Sequence, residues 1–273
     1  MEYQRRPPRR NNKSAKRILW IIVLLEIVCA IELFLLLKIT AGAEEQKSAN
    51  VGPLETLLHA EKKKSMFIEM KGLSQDGIPT GCESVSTVMV LNYWGVDITP
   101  ENFIDNYLPC QGFYWVDGAL YGPDPEEAFA GSPYSKNSLG CYPKVILKAL
   151  GNMKNCHVPG MDALMFADIS DLELDEIIDT YVANNIPVLL WCTMDMNPVR
   201  DGMQYHLDDG SLYTWRAGEH CMVLCGYDEE NYYLMDPLAG GEKVGYPKET
   251  VEERSVEMGR YAVVVWRDLS KSR

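Results

Sequence analysis

The tightest constraint on the fold lies in Gln75-Asp76-Gly77-Ile78-Pro79-Thr80-Gly81-Cys82-Glu83-Ser84-Val85-Ser86-Thr87-Val88-Met89-Val90-Leu91-Asn92-Tyr93-Trp94-Gly95. Pro79 fixes φ, and Gly77 and Gly81 accept φ values that other residues avoid, so the first part must turn. From Cys82 onward the spacing of Val85, Val88, Met89 and Leu91 predicts a helix with these side chains on or near one stripe. Gly95 falls at the C′ position that ends helices. Cys82 is thereby placed at a helix N-terminus, where unpaired N–H groups and the helix dipole favour a thiolate over a thiol. Taken alone, such a residue is more simply a small buried apolar cysteine. A chemical role requires partners elsewhere in the chain.

Upstream, residues 1–17 hold Arg5, Arg6, Arg9, Arg10, Lys13, Lys16 and Arg17 against Glu2. Residues 18–37 follow, apolar except for Glu26 and Glu32, and about as long as a helix that crosses a ~30 Å hydrocarbon layer. With basic residues before it and Glu44-Glu45 after it, the positive-inside rule predicts a single-pass membrane protein with a cytoplasmic N-terminus and an extracytoplasmic body. The alternative is a signal peptide cut near Ala41-Gly42-Ala43, although the run exceeds the usual signal-peptide core. Either route exports the body. Glu26 and Glu32 do not share a helix face; pairing with a membrane partner and snorkelling to water both account for them.

The chain thus divides into a basic tail (1–17), a transmembrane helix or signal peptide (18–38), a small, polar, charged linker (39–63) and a globular domain (64–273). From Ile39 onward there are 36 Asp and Glu against 18 Lys and Arg, a net charge near −18. That balance argues against a nucleic-acid partner.

Within the domain, Thr99 followed by Pro100 predicts a capped helix start. Residues 111–138, rich in Gly, Pro and Tyr, read as a long loop and a candidate wall of a substrate cleft. Residues 142–150 and 171–185 read as helices. Residues 187–192 read as a strand buried on both faces, and 195–216 as irregular. Residues 220–227 and 232–236 are strand-like and joined by a hairpin signal at residues 228–231, and 261–266 supply a final strand of an antiparallel sheet. Helices first and strands later predict an α+β fold.

His220 and Asp236 are equidistant from Asp228. An odd hairpin loop centred there sets them directly across from each other on one face, with Cβ atoms about 4.5–5.5 Å apart. An even loop sends them to opposite faces. Brought together, Asp236 fixes the tautomer of His220 and leaves the other ring nitrogen free to act on a thiol. Cys82 as nucleophile, His220 as base and acid, and Asp236 as orienter form a thiol triad. Gln75 can aim its amide at the oxyanion alongside the Cys82 backbone N–H.

Several motifs of this sequence, in this order, resemble the bacterial peptidase family C-thirty-nine-like domain, relatives of the bacteriocin-processing cysteine peptidases in the papain-like fold. They are Gln75, Pro79-Thr80-Gly81-Cys82-Glu83, Leu91-Asn92-Tyr93-Trp94-Gly95, Gly140-Cys141-Tyr142-Pro143, the run from Gly218-Glu219-His220 to Gly226-Tyr227-Asp228, and Met235-Asp236-Pro237-Leu238. The resemblance covers most of residues 66–267. It implies a thiol peptidase with Cys82, His220 and Asp236 in the triad and Gln75 at the oxyanion hole, acting on peptide or protein substrates without a cofactor. Glu83 matches the family turn without an assigned step. The best-known bacteriocin processors carry this domain on an ABC transporter facing the cytoplasm; here no further membrane run or nucleotide-binding motif follows.

Other functions fit the same sequence: hydrolysis of cell-wall peptides or acyl transfer on this fold, or a catalytically silent module that binds a peptide. Besides Cys29 and Cys82, the remaining Cys110, Cys141, Cys156, Cys192, Cys221 and Cys225 either pair outside the cytoplasm or stay as buried thiols. Cys221 and Cys225 stand too far apart along one strand to bond each other. His206, Asp208, Asp209 and Cys221 lack the spacing of a metal site, so no metal is expected. His59 and His157 read as surface residues.

Overall fold

The computed structural model describes residues 63–268. The basic tail, the apolar run with Glu26, Cys29 and Glu32, and the linker through His59 to residue 62 lie outside the described residues. Among the described residues no helix is long and apolar enough to cross a membrane.

Helix α1 spans Cys82–Tyr93. Gly95 takes φ +87° and its N–H bonds the Asn92 carbonyl, so the left-handed glycine stop is where the sequence puts it. The predicted single apolar stripe is not found. Cys82 through Leu91 are all buried, which encloses the helix and forces its polar side chains to bond internally. Ser86 Oγ donates to the Cys221 carbonyl at 2.9 Å, and Thr87 Oγ1 to the Glu83 carbonyl at 2.6 Å. The other helices are α2 (Pro100–Tyr107), α3 (Pro143–Asn155), α4 (Leu174–Thr180) and α5 (Lys248–Met258). Thr99 accepts the Asn102 N–H at 3.2 Å and caps α2 as expected. The predicted helix at 171–185 is shorter: it stops at Thr180, and Val182–Asn184 closes it as a 3-10 turn.

The strands in chain order are β1 (Met66–Phe67), β2 (Cys110–Gln111), β3 (Tyr114–Val116), β4 (Ala119–Tyr121), β5 (Phe129–Ala130), β6 (Leu164–Asp168), β7 (Val188–Thr193), β8 (Arg200–His206), β9 (Leu212–Ala217), β10 (Glu219–Tyr227), β11 (Asn231–Asp236), β12 (Glu242–Pro247) and β13 (Ala262–Arg267). The main sheet runs β12-β11-β10-β7-β13-β6, with β1 beside the far end of β10, and every pairing in it is antiparallel. All residues of β7 and β10 are buried, as the unbroken apolar run of β7 demands. Helix α1 packs on β10 and β7, and α5 also packs on β7. The α+β class holds, with two changes. Strand β6 forms among the helices where no strand was expected, and β13 pairs with β7 and β6 instead of extending the hairpin.

Two segments expected to be irregular are a four-stranded sheet, β3-β4-β8-β9. The β3–β4 hairpin turns at Asp117 and Gly118, with φ +50° and +82°, and β8–β9 turns through Gly210 at φ +86°. Both connections carry an Asp-Gly pair: in the first the positive φ at both residues matches the strand twist, and in the longer second loop only Gly210 takes the left-handed position.

Ahead of α1, the backbone at Gly72 crosses that at Gly241 so closely that a Cβ on Gly72 would lie 1.8 Å from the Gly241 carbonyl oxygen. Three residues later the Gln75 N–H bonds the Pro237 carbonyl at 3.1 Å, which ties Gln75 to the turn after Asp236. Gly72→Ala is therefore expected to cost about 1–3 kcal/mol, as overpacking does. The check is a lower midpoint in denaturant unfolding. Gly151→Ala, with nothing within 4 Å of the added Cβ, serves as the tolerated control.

Candidate active site

Helix α1 and strand β10 meet at Cys221. Its carbonyl accepts Ser86 Oγ, while its N–H donates to Cys82 Sγ at 3.5 Å. This double tie brings the start of α1 to the start of β10, next to His220. Gln75, Cys82 and His220 then line one cavity of about 150 Å³, together with Trp215, Glu219 and Leu238. A larger concavity of about 790 Å³ lies around α4 and α5. It gathers Glu173, Asp175, Glu249 and Glu252 with a serine, Ser255, but no cysteine and no imidazole, so the smaller cavity is the candidate site.

Asp236 sits behind His220. Its Oδ1 lies 2.7 Å from His220 Nε2 and also accepts the Leu238 N–H at 2.8 Å. Nδ1 is thus the ring nitrogen left over. The two residues reach each other differently from the direct cross-strand pairing expected. The ladder runs Val223↔Met235 and Leu224↔Leu234, then shifts before Gly226↔Tyr233. Extending it one step sets Asp236 opposite Met222, so His220 is its diagonal neighbour on the same face. An imidazole is long enough to span that separation. The turn itself closes in the even register, with Tyr227 opposite Tyr232, which alone would send the two side chains to opposite faces. The bulge near Cys225 shifts the ladder by one residue and returns them to one face, and side-chain length closes the remaining diagonal.

Burial works to raise the Asp236 carboxyl, but the His220 hydrogen bond, the charge of its ring and the N–H groups of Leu238 and Ala239 outweigh it. The group is held below the ordinary carboxylate range. Cys82 departs the other way. Burial, followed by the nearby Glu83 and Glu219 carboxyls, pushes its thiol well above the usual value, against the Cys221 N–H. The thiolate expected from the helix N-terminus is therefore not the resting form: desolvation and two acidic neighbours exceed the dipole.

Gln75 is buried. Its Nε2 makes one long bond to the Pro79 carbonyl at 3.5 Å, and its Oε1 has no hydrogen-bond partner. The amide is therefore weakly engaged and faces the cavity.

Sequence reasoning missed the roles of Glu83 and Glu219. The Cys82 thiol points at Glu83 Oε2 at 3.4 Å, and Glu83 Oε1 accepts the Cys141 N–H at 2.6 Å. Burial raises the Glu83 carboxyl to about 7, and burial, then the Glu83 charge, raises Glu219 well above the usual value. The two stand 136 positions apart in sequence, and only the docking of α1 on β10 joins them.

The seven described cysteines are all free thiols. His206, Asp208 and Asp209 are engaged separately, with the Gly210 carbonyl, Tyr114 and Ser211 respectively, while Cys221 is buried in β10. His157 is exposed. Of the segment expected as a cleft wall, Ser138 and the adjoining Leu139 reach the cavity.

The family model described as the Peptidase_C39 like family matches residues 67–263. Over 230 residues the chain is 25% identical to the uncharacterized protein YvpB of Bacillus subtilis (strain 168), covering 82% of this chain and 80% of that protein. A Bacillus anthracis protein of known crystal structure matches with a TM-score of 0.64 at 22% identity. The match covers 76% of this chain and 99% of that one, a likeness of fold.

Proposed function

Since the chain belongs to the Peptidase_C39 like family, we propose that it is a cysteine peptidase with a papain-like arrangement, in which Cys82, His220 and Asp236 form the triad and Gln75 completes the oxyanion hole. The observation that carries the reading is the shared cavity of Gln75, Cys82 and His220, with Asp236 bonded to the ring from behind.

In this mechanism Cys82 Sγ attacks a peptide carbonyl carbon while His220 Nδ1 takes the thiol proton. The raised thiol value favours proton loss during attack over a standing ion pair. The oxyanion is met by the Cys82 N–H and by Gln75 Nε2, whose long bond to Pro79 is readily exchanged. His220 returns the proton to the leaving amine, and a thioester remains on Cys82. Water, deprotonated by the same imidazole, then releases the acid. Asp236 keeps Nε2–H bonded throughout. From the apolar run we also propose that residues 18–38 hold the domain on the outer side of the membrane, or that cleavage near Ala43 releases it.

The test is digestion of a peptide library beside a muropeptide digest. Cleavage of library peptides is expected; cleavage of muropeptides alone would redirect the substrate to the cell wall. Acylation of an added amine in place of hydrolysis would make the chain a transferase. Peptide binding without turnover would make it a silent module. Gln75→Ala is expected to lower kcat about 10²- to 10³-fold with little change in KM, the behaviour of a lost oxyanion donor. Equal kcat would remove Gln75 from the site.

A further inference from the structure

Cys82 Sγ, a Glu83 carboxylate oxygen and a Glu219 carboxylate oxygen all lie within 4.8 Å of one another, and all three residues are buried. Glu219 is 8% exposed, lines the cavity beside Cys82, and leaves its Oε1 without a hydrogen-bond partner. Neither carboxylate makes an ion pair with a described Lys, Arg or His. The backbone makes room for them: a Cβ on Gly140 would meet Glu83 Oε1 at 2.4 Å and Glu219 Oε2 at 3.0 Å. Two buried acids with no basic partner against one sulfur form a donor set that a divalent cation satisfies.

We propose that Cys82, Glu83 and Glu219 form a binding site for Zn²⁺, and that the bound metal keeps the candidate nucleophile latent. Mixed thiolate and carboxylate donors suit this borderline ion, whereas Mg²⁺ and Ca²⁺ take oxygen alone. With Zn–S about 2.3 Å and Zn–O about 2.0–2.2 Å, tetrahedral ligands stand about 3.4–3.6 Å apart. The 3.4 Å between Cys82 Sγ and Glu83 Oε2 already has that span. Glu219, whose ligand oxygen lies within 4.8 Å of the other two donors, closes the triangle with a side-chain shift of up to about 1.4 Å. The fourth position faces the cavity, open to water. Binding displaces the thiol proton into solvent, and a metal-held sulfur is unavailable for attack. The site itself does not depend on the peptidase reading; the latency does.

Zinc chloride titrated into the full chain in detergent, followed by calorimetry in two buffers of different ionisation enthalpy, is expected to show one Zn²⁺ bound with proton release. Co²⁺ in its place is expected to give a thiolate charge-transfer band that Cys82→Ser removes. Glu219→Gln and Glu83→Gln should each weaken binding at least about tenfold, while His220→Ala leaves it unchanged. Unaltered affinity in Glu219→Gln, or loss in His220→Ala, overturns the site by moving the metal onto the sulfur and imidazole. If Glu219→Gln loses the wild-type circular dichroism, the wild type decides. Zn²⁺ should slow alkylation of Cys82 by iodoacetamide, a chelator should restore it, and Mg²⁺ should have no effect; an unprotected Cys82 overturns the proposal. These readouts need no substrate, so failure to bind Zn²⁺ and failure to cleave peptides are separately visible.

Discussion

Cys82→Ala is expected to lower peptide hydrolysis by at least about 10⁴-fold, with the fold intact. Cys82 is 5% exposed, and its sulfur contributes two weak contacts, to the Cys221 N–H and to Glu83. Helix α1 is held by the Ser86 bond to Cys221 and by the buried Val85, Val88, Met89 and Leu91, none of which the substitution touches. Removing the sulfur therefore removes the chemistry with little of the packing. His220→Ala should produce a similar loss, and the double variant little more, because the two act in one step. The measurement is kcat/KM on a cleaved library peptide, with circular dichroism as the fold control. A single variant that keeps more than a hundredth of the activity would contradict the assignment.

Asp236→Ala carries the second largest expected loss, about 10⁴-fold in kcat, since an unheld ring loses both its tautomer and its aim. Asp236→Asn retains an oxygen that accepts from His220 Nε2 and from the Leu238 N–H, so its loss should be smaller. The ordering separates orientation from charge. A stability signature accompanies it. The Asp236 carboxyl is held below its unfolded value, so its stabilisation is present above the ordinary carboxylate range and fades as pH falls through the lowered value. Asp236→Ala should therefore destabilise the fold near neutral pH and lose that effect in strong acid, as followed by urea midpoints across pH. A destabilisation that does not change with pH would mean that packing, and not the charge, is what Asp236 contributes.

Much of the site was legible because its signals are local. Pro79 and Gly95 bracket α1 by backbone conformation alone, whereas Gly81 keeps an ordinary φ of −107° and excludes a side chain because a Cβ there would lie 2.4 Å from Ile78 Cγ2. The apolar run of β7 announces a strand buried on both faces. The β3–β4 and β8–β9 hairpins were written too, in Asp117-Gly118 and Asp209-Gly210, but Gly, Pro and Tyr around them obscured the alternation of such short strands. The bulge near Cys225 left no readable mark, since one unpaired residue does not change the apolar pattern of β10. Glu83 and Glu219 were illegible for a different reason. A glutamate at the second position of a helix reads as a dipole partner facing water, and only the burial of α1 on β10 turns it inward against another acid.

The decisive measurement is the site at which a peptidyl vinyl sulfone bonds to the metal-free protein, read by intact mass and peptide mapping. If Cys82 is the nucleophile and His220 its base, one adduct forms on Cys82 despite its burial and disappears in His220→Ala. If exposure alone governs, the label falls on Cys110 and Cys156, the exposed thiols among the described residues, and Cys82 stays unmodified. That second pattern would contradict the peptidase reading.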